Sequence, residues 1–336
     1  MTRVEYAAAG VILVGSLLPF WLGHYWLDVA FLAAVYAGIA SAWNVAGGFS
    51  GTSSFGHGLF FGIGAYTSGA LFFHFRVSPW LGLALGAVLA AAVGVIIAWC
   101  GVRYRIRGLS FAVLTLAFAE IAWLFVGTFD PLGASRGISL PPATPGLASL
   151  QFQSGRSFFL VGLAFLALCQ AVAWRVHVTP LGFRYRAVRE NETAAQAMGI
   201  DPVFVRLSAM ALTAALTAIG GSIYAQYLLF LDPRTFFGPD VTIKVILFTL
   251  VGGMGSIWGP VVGTALLYPA GEWLRAAFGG RVPGLDILFY GSLVIVCCLT
   301  FPAGIVGTIG RLVGRDGTAR ASGAPSPEGG HLTEDI

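Results

Sequence analysis

The chain has 336 residues, of which 57% are hydrophobic and only 10% are charged, and its net charge is +4. With a mean hydropathy of +0.82, this composition excludes a soluble globular domain and predicts an all-α, polytopic membrane protein in contact with lipid. In such a protein the placement of basic residues matters more than their sum, so the charge does not indicate a nucleic-acid partner. Four cysteines without metal-ligand spacing to histidine predict neither a disulfide nor a metal site.

Ten apolar runs follow one another along the chain, and each is about long enough to cross a hydrocarbon core ~30 Å thick. We therefore expect about ten transmembrane helices, with eight as the lower count, in a membrane domain over residues 1–310. The first run lacks a small-residue cleavage site, so we expect a span there and not a removed signal. The runs lie near residues 7–23, 29–46, 58–75, 79–101, 108–129, 157–176, 204–230, 241–257, 258–278 and 286–309.

Basic residues concentrate at one predicted face of the membrane. With the N-terminus inside, the positive-inside rule places both termini, the loop 102–107 and the loop 177–203 in the cytoplasm of a bacterial inner-membrane protein. The Pro/Gly/Ser-rich segment 130–156 is then an external loop. The tail 311–336 has few large apolar residues, and we expect it to be disordered. Twelve of the nineteen Arg and Lys residues fall on the predicted cytoplasmic face: Arg3, Arg103, Arg105, Arg107, Arg175, Arg184, Arg186, Arg189, Arg206, Arg311, Arg315 and Arg320.

Two long intervals of the chain carry no charged side chain. From Val29 to Phe75 there is no Asp, Glu, Lys or Arg, although the chain must turn near residues 47–57. Membranes tolerate non-helical backbone only where protein or a water-filled cavity satisfies its polar groups, so we predict a broken or re-entrant helix there. The second interval, Val245 to Gly271, contains another Gly/Pro/Ser interruption. Two such breaks are typical of transporters.

The first break contains a cluster of polar and small residues, Ser53, Ser54, Gly56 and His57. They precede a predicted helix, where unpaired N–H groups and the positive end of the helix dipole can receive a carboxylate. Two interpretations stay open: these residues line a substrate pathway, or they only cap the helix. The small residues that recur through 58–69 are explained by close helix packing alone.

Glu120 lies near the middle of the fifth predicted span, ~18 Å along a helix that begins at Gly108. An ionisable group at that depth suggests a function, so we include Glu120 among the candidate pathway residues. The alternative is a buried glutamate, protonated or hydrogen-bonded, that holds two helices together.

The most polar segment before the tail lies between the sixth and seventh predicted spans. Phe183 to Met198 predicts one helix of about 16 residues, with Gly199 just past its end and with Asp201 and Pro202 opening the next span. Alanines and a methionine form a shallow apolar patch on this helix, surrounded by charged residues. A helix at the bilayer surface usually carries bulky Leu, Phe or Trp, so this patch suits a protein partner better.

Four stretches resemble one family. RAVRENETAAQAMGI looks like the EAA-type coupling segment of ATP-binding-cassette (ABC) importer permeases. GTSSFGHGLFFGIGAYTSGAL, RGLSFAVLTLAFAEI and VGGMGSIWGPVVGTAL resemble the LivM-type permease of branched-chain amino-acid importers. The resemblance covers about residues 29–309 and implies an importer with two permease chains, two cytoplasmic ATPase chains and a periplasmic substrate-binding protein. It also implies that ATP binds to the ATPase chains and that Glu190, Asn191, Glu192, Ala194, Ala195 and Gly199 dock into an ATPase cleft, with Arg186, Arg189 and Met198 beside them.

The chain has no P-loop of its own, because its single lysine, Lys244, lies in the sequence TIKV. We therefore predict a permease subunit, not an enzyme, with no cofactor in this chain. Its expected solutes are branched-chain or related amino acids. Lys244 occupies a position where the family commonly has an acidic residue, which leaves urea and short amides open as solutes. The alternative function is an ion-coupled secondary transporter of a small polar solute, for which Glu120 is the candidate carboxylate.

Overall fold

The computed structural model describes residues 23–142, 144, 146, 148–278, 285–300 and 304–308. Its α-helices are α1 (His24–Asn44), α2 (His57–Phe75), α3 (Pro79–Arg103), α4 (Leu109–Thr128), α5 (Gly155–Val178), α6 (Pro180–Glu190), α7 (Glu192–Ala197), α8 (Pro202–Leu228), α9 (Pro233–Phe237), α10 (Pro239–Gly252), α11 (Gly259–Phe278) and α12 (Leu285–Thr300).

Seven stretches of the described chain are helical, long and apolar enough to cross a membrane. The prediction of an all-α polytopic membrane protein is confirmed, whereas the count of eight to ten spans is not. The first predicted span, 7–23, and the tail, 311–336, lie outside the described residues, except for residue 23. The seven stretches are His24–Phe49, His57–Phe75, Pro79–Arg103, Leu109–Thr128, Gly155–Val178, Pro202–Leu228 and Pro233–Gly252.

α1 forms the centre of the bundle. Every residue from Ala34 to Asn44 is buried, because the helix contacts α5, α8, α10 and α11 on its different sides. A helix that is apolar all round, as this one is, belongs in the core of a membrane protein. α2 packs between α3 and α8. The small residues of 58–69 lie in close contacts, Gly62 under the ring of Phe237 and Gly69 under Leu231, so the packing interpretation of these residues is confirmed.

The predicted external loop is ordered over its described part. It begins with two short 3₁₀ turns, Asp130–Leu132 and Ala134–Arg136. Strand β1 (Ile138–Ser139) then pairs antiparallel with β2 (Phe230–Leu231), which follows α8. The loops at 76–78, 129–154 and 229–232 therefore meet at one end of the bundle.

The opposite end carries the loop between α3 and α4, the segment α6–α7 and the break after α1. Arg107 of that loop forms an ion pair with Glu192 of α7, with 3.2 Å between the guanidinium nitrogen and the carboxylate oxygen. The basic residues 103–107 and 175–206 thus lie together at this end, as the charge pattern predicted.

Candidate functional site

The first break follows α1. Val45–Phe49 continues the helix in the wider π form, and the chain then runs without helical structure until His57 starts α2. Ser50 N and Thr52 N donate to carbonyl oxygens in the last turns, at 3.3 Å and 2.9 Å. The broken helix predicted from the charge-free interval is therefore present.

Protein groups satisfy the polar backbone of this break. Phe55 N donates to Thr115 Oγ1 at 2.9 Å, and Gly58 N donates to Thr242 Oγ1 at 2.8 Å. Gly56 N donates to the Ser54 hydroxyl at 3.2 Å. Three N–H groups at or just before the start of α2 are thus already paired, which favours capping over a carboxylate site at this helix end.

His57 and Ser54 are fully buried. The Thr213 hydroxyl donates a hydrogen bond to Ala42 O at 2.8 Å. Its oxygen therefore accepts the hydrogen bond from His57 Nε2, which lies 2.9 Å away. The indole N–H of Trp43 donates to Ser54 O at 2.8 Å. In this conformation His57, Ser54 and Gly56 are buried against protein, and Ser53 lines a cavity.

The second break separates α10 from α11. It spans residues 253–258, and Gly253 and Gly255 have positive φ angles of 125° and 85°. The N–H of Gly259 at the start of α11 donates to the Ser256 hydroxyl at 2.7 Å, and Gln170 Nε2 of α5 donates to Ile257 O at 3.3 Å. Protein groups therefore pair with the polar backbone of this break as well.

Asn44 joins the two breaks. Its Nδ2 donates to Ser256 O at 2.7 Å, and its Oδ1 accepts from Gly255 N at 2.8 Å. A Cβ atom on Gly48 would lie 2.8 Å from Gly255 N, so the two backbones nearly touch here. The two charge-free intervals, about 210 residues apart in sequence, are therefore one structural unit.

The polar segment is two helices, so the prediction of one helix over Phe183–Met198 is wrong. Asn191 between α6 and α7 is extended (φ −156°), and its side chain accepts from Ala194 N at 3.0 Å. The asparagine thus caps α7 in competition with a continuous helix. The predicted end of the segment is confirmed, because Gly199 has a left-handed φ of 80° and Asp201 caps α8 through Val203 N.

The α6–α7 segment is fixed to the rest of the chain on its inner side. Tyr185 is fully buried, and its hydroxyl donates to Ser208 Oγ at 3.0 Å. Burial raises the pKa of this phenol, so it stays a neutral donor. Glu192 pairs with Arg206 at 2.8 Å as well as with Arg107.

The predicted ATPase-coupling residues divide between an inner and an outer side. Ala195 is 3% exposed, so placing it in an accessible patch was wrong. Arg186 Nη1 contacts His177 Nδ1 at 3.0 Å, and Arg189 Nη1 donates to Gly48 O in the first break. Arg189 is exposed although its guanidinium reaches the first break, and the other exposed members of the set are Glu190, Asn191, Ala194, Met198 and Gly199.

A cavity of about 250 Å³ lies between this segment and the first break. Three arginines, Arg107, Arg189 and Arg206, line it with one carboxylate, Glu192. Its remaining walls come from residues 50–53 and from the end of α3 and start of α4. The cavity separates part of the α6–α7 segment from the first break, while Tyr185 and Glu192 hold the segment against α8.

Glu120 lies apart from this site, on α4. That helix buries one side only, and Ile121, Leu124 and Phe125 on its other side are about 60% exposed. Glu120 is half-buried, and within the described part of the chain no hydrogen bond or ion pair reaches it. Both interpretations of Glu120 thus stay predictions.

Two residues of the site were not given their roles by the sequence. Asn44 precedes the glycine pair of the first break, and a lone amide in an apolar run is the signal that was available. Arg189 was assigned to the partner surface, whereas its guanidinium points to the break.

Residues 25–298 match the family described as branched-chain amino acid transport system / permease component. The chain belongs to this family. It is similar to the high-affinity branched-chain amino acid transport system permease protein LivM of Escherichia coli (strain K12), with 28% identity over 312 residues, covering 86% of this chain and 71% of the relative. LivM of Salmonella typhimurium (strain LT2) is 27% identical over 320 residues, 88% of this chain and 73% of the relative. LivH of the same strain is 27% identical over 293 residues, 82% and 92%.

No solved structure matches the chain. The LivM-type resemblance is confirmed, and the matched range of this permease family includes both breaks, Asn44 and the whole α6–α7 segment. The site described above is therefore part of the permease region itself.

Proposed function

We propose that the chain is the permease subunit of an ABC importer that moves branched-chain or related amino acids across a bacterial inner membrane. The match to the permease family over residues 25–298 carries this proposal. The named activity of the LivM and LivH relatives supplies the solute class. Helix breaks are typical of transporters, so the two breaks support a transport function. No residue of this chain is assigned a catalytic role.

The energy for transport comes from other chains in this proposal. Two ATPase subunits bind ATP on the cytoplasmic side, a second related permease completes the membrane part, and a periplasmic protein delivers the solute. This chain holds no cofactor itself. The outer side of α6–α7, which is exposed and held by hydrogen bonds and ion pairs on its inner side, supports a docking role for that segment.

Uptake by whole cells tests the function. Deleting the gene should lower high-affinity uptake of radiolabelled leucine, isoleucine or valine at least tenfold, and a plasmid copy should restore it. Depleting ATP with arsenate should stop uptake, while a protonophore applied with ATP maintained should not. Unchanged uptake in the deletion strain would refute the proposal, and loss of uptake with the protonophore alone would favour the ion-coupled alternative.

We also propose that both termini and the α6–α7 segment are cytoplasmic, with ten spans in the whole chain. In a cysteine-free variant, a cysteine at exposed Ser139 of β1 should react with an impermeant thiol reagent in intact cells. A cysteine at exposed Arg184 of α6 is the matched control and should react only after lysis. The reverse pattern of labelling would invert the topology.

A further inference from the structure

Three helices of this chain end around one side chain. α1 with its π-helical extension ends at Phe49, α10 ends at Gly252, and α6 ends one residue after Arg189. Arg189 Nη1 donates to Gly48 O in the first break. A Cβ atom on Gly255 in the second break would lie 2.8 Å from the same nitrogen. One guanidinium from the α6–α7 segment therefore borders both breaks.

The C-terminal ends of these helices can stabilise the positive charge of Arg189. The C-terminal carbonyl groups of a helix carry partial negative charge, and a cation beside them gains ~0.3–1 kcal/mol per helix end at exposed sites. Among the described residues, no carboxylate lies within 4.0 Å of Arg189. A guanidinium presents several donors in a fixed plane and so can serve two acceptor sites, whereas a lysine ammonium acts as a point charge on a flexible stem.

We propose that Arg189 is the positioning residue that passes movement of the α6–α7 segment to both membrane breaks. A shift of α6 pulls on Gly48 through the guanidinium, and the bonds from Asn44 to Gly255 and Ser256 carry that shift into the second break. The hydrogen bond of Tyr185 to Ser208 and the ion pair of Glu192 with Arg206 connect the segment to α8, whereas the guanidinium of Arg189 contacts the break itself. The inference rests on the proposed function, because it needs an ATPase to move the segment.

Arg189→Met removes the donor and keeps much of the stem, while Arg184→Met removes an equal charge from an exposed position of the same helix. In the reconstituted complex, Arg189→Met should retain copurifying ATPase and at least half of the ATP hydrolysis, while solute moved per ATP falls at least tenfold. Arg189→Lys should lie between, and Arg184→Met should match wild type. Loss of ATPase copurification in Arg189→Met, with the permease still folded, would instead make Arg189 a docking residue and overturn the proposal.

Hydrogen exchange gives a readout that does not depend on the solute. In the wild-type complex, ATP with vanadate should change amide exchange in residues 45–56, 180–197 and 253–258. In Arg189→Met the change should persist in residues 180–197 and disappear from both breaks. If Arg189→Met does not fold, Arg189→Lys is measured in its place. Equal responses at the breaks would refute the link. If no ATPase copurifies with wild type, the proposed function fails. The contact can then be tested on the isolated permease, where Arg189→Met should exchange faster than wild type at both breaks.

Discussion

Ala194→Glu should abolish both copurification of the ATPase and solute uptake. Ala194 is exposed on the outer side of α7, where the proposed docking would cover it. A charge buried without a partner in such a contact costs about 3–5 kcal/mol, which weakens assembly by at least ~100-fold. Affinity purification with tagged permease, followed by uptake in proteoliposomes, measures both effects.

Two further variants show that the loss arises at the contact. Ala194→Ser keeps the small size and adds no charge, so assembly and uptake should stay near wild type. Ala195→Glu places the charge inside the permease, because Ala195 is 3% exposed, and should lower the unfolding temperature of the permease alone. Ala194→Glu should leave that temperature unchanged. An Ala194→Glu complex that retains its ATPase and transports normally would exclude α7 as the docking element.

Asn44→Ala should destabilise the permease and stop transport, because it separates the two breaks. It leaves Gly255 N–H and Ser256 C=O without their bonds to Asn44, and each unpaired group costs ~1–3 kcal/mol when buried. The unfolding midpoint should fall by roughly 4 °C or more, and uptake should fall at least tenfold. Thermal unfolding in detergent and uptake in proteoliposomes measure these effects.

Ser41→Ala is the matched control for this change. Ser41 is buried on the same helix one turn earlier, but its hydroxyl bonds only to Ala37 O of its own helix, at 2.8 Å. Removing this hydroxyl should shift the unfolding midpoint by less than about 1 °C, because no bond to another part of the chain is lost. A midpoint for Asn44→Ala as high as that for Ser41→Ala would show that the contact between the breaks contributes no stability.

Local rules predicted a good part of this structure. Charge-free intervals located both breaks, and Gly199 and Asp201 were recognised as helix signals. Each of these depends on residues within a few positions of one another, where backbone and dipole preferences act directly.

The features that the sequence did not reveal depend on contacts between residues distant in sequence, or on two local backbone arrangements that compete with each other. The helix over 183–198 breaks because the Asn191 side chain offers Ala194 N a bond that a continuous helix would replace, and the two arrangements differ little in energy. The bonds of Asn44 join residues more than 200 positions apart. No local period carries that information, since it arises only when the bundle packs.

α8 spans 27 residues, a rod of ~40 Å, with no proline beyond its first position. At one end Arg206 holds Glu192 of α7, and at the other β2 pairs with the loop proposed to face the periplasm. Because α8 is one unbroken helix, a tilt imposed at its Arg206 end is expected to reach β2 at its other end. Coupling between binding sites is reciprocal. If ATP binding changes the affinity of the outer loop for the delivery protein by a given factor, docking of the delivery protein changes the affinity of the ATPases for ATP by the same factor.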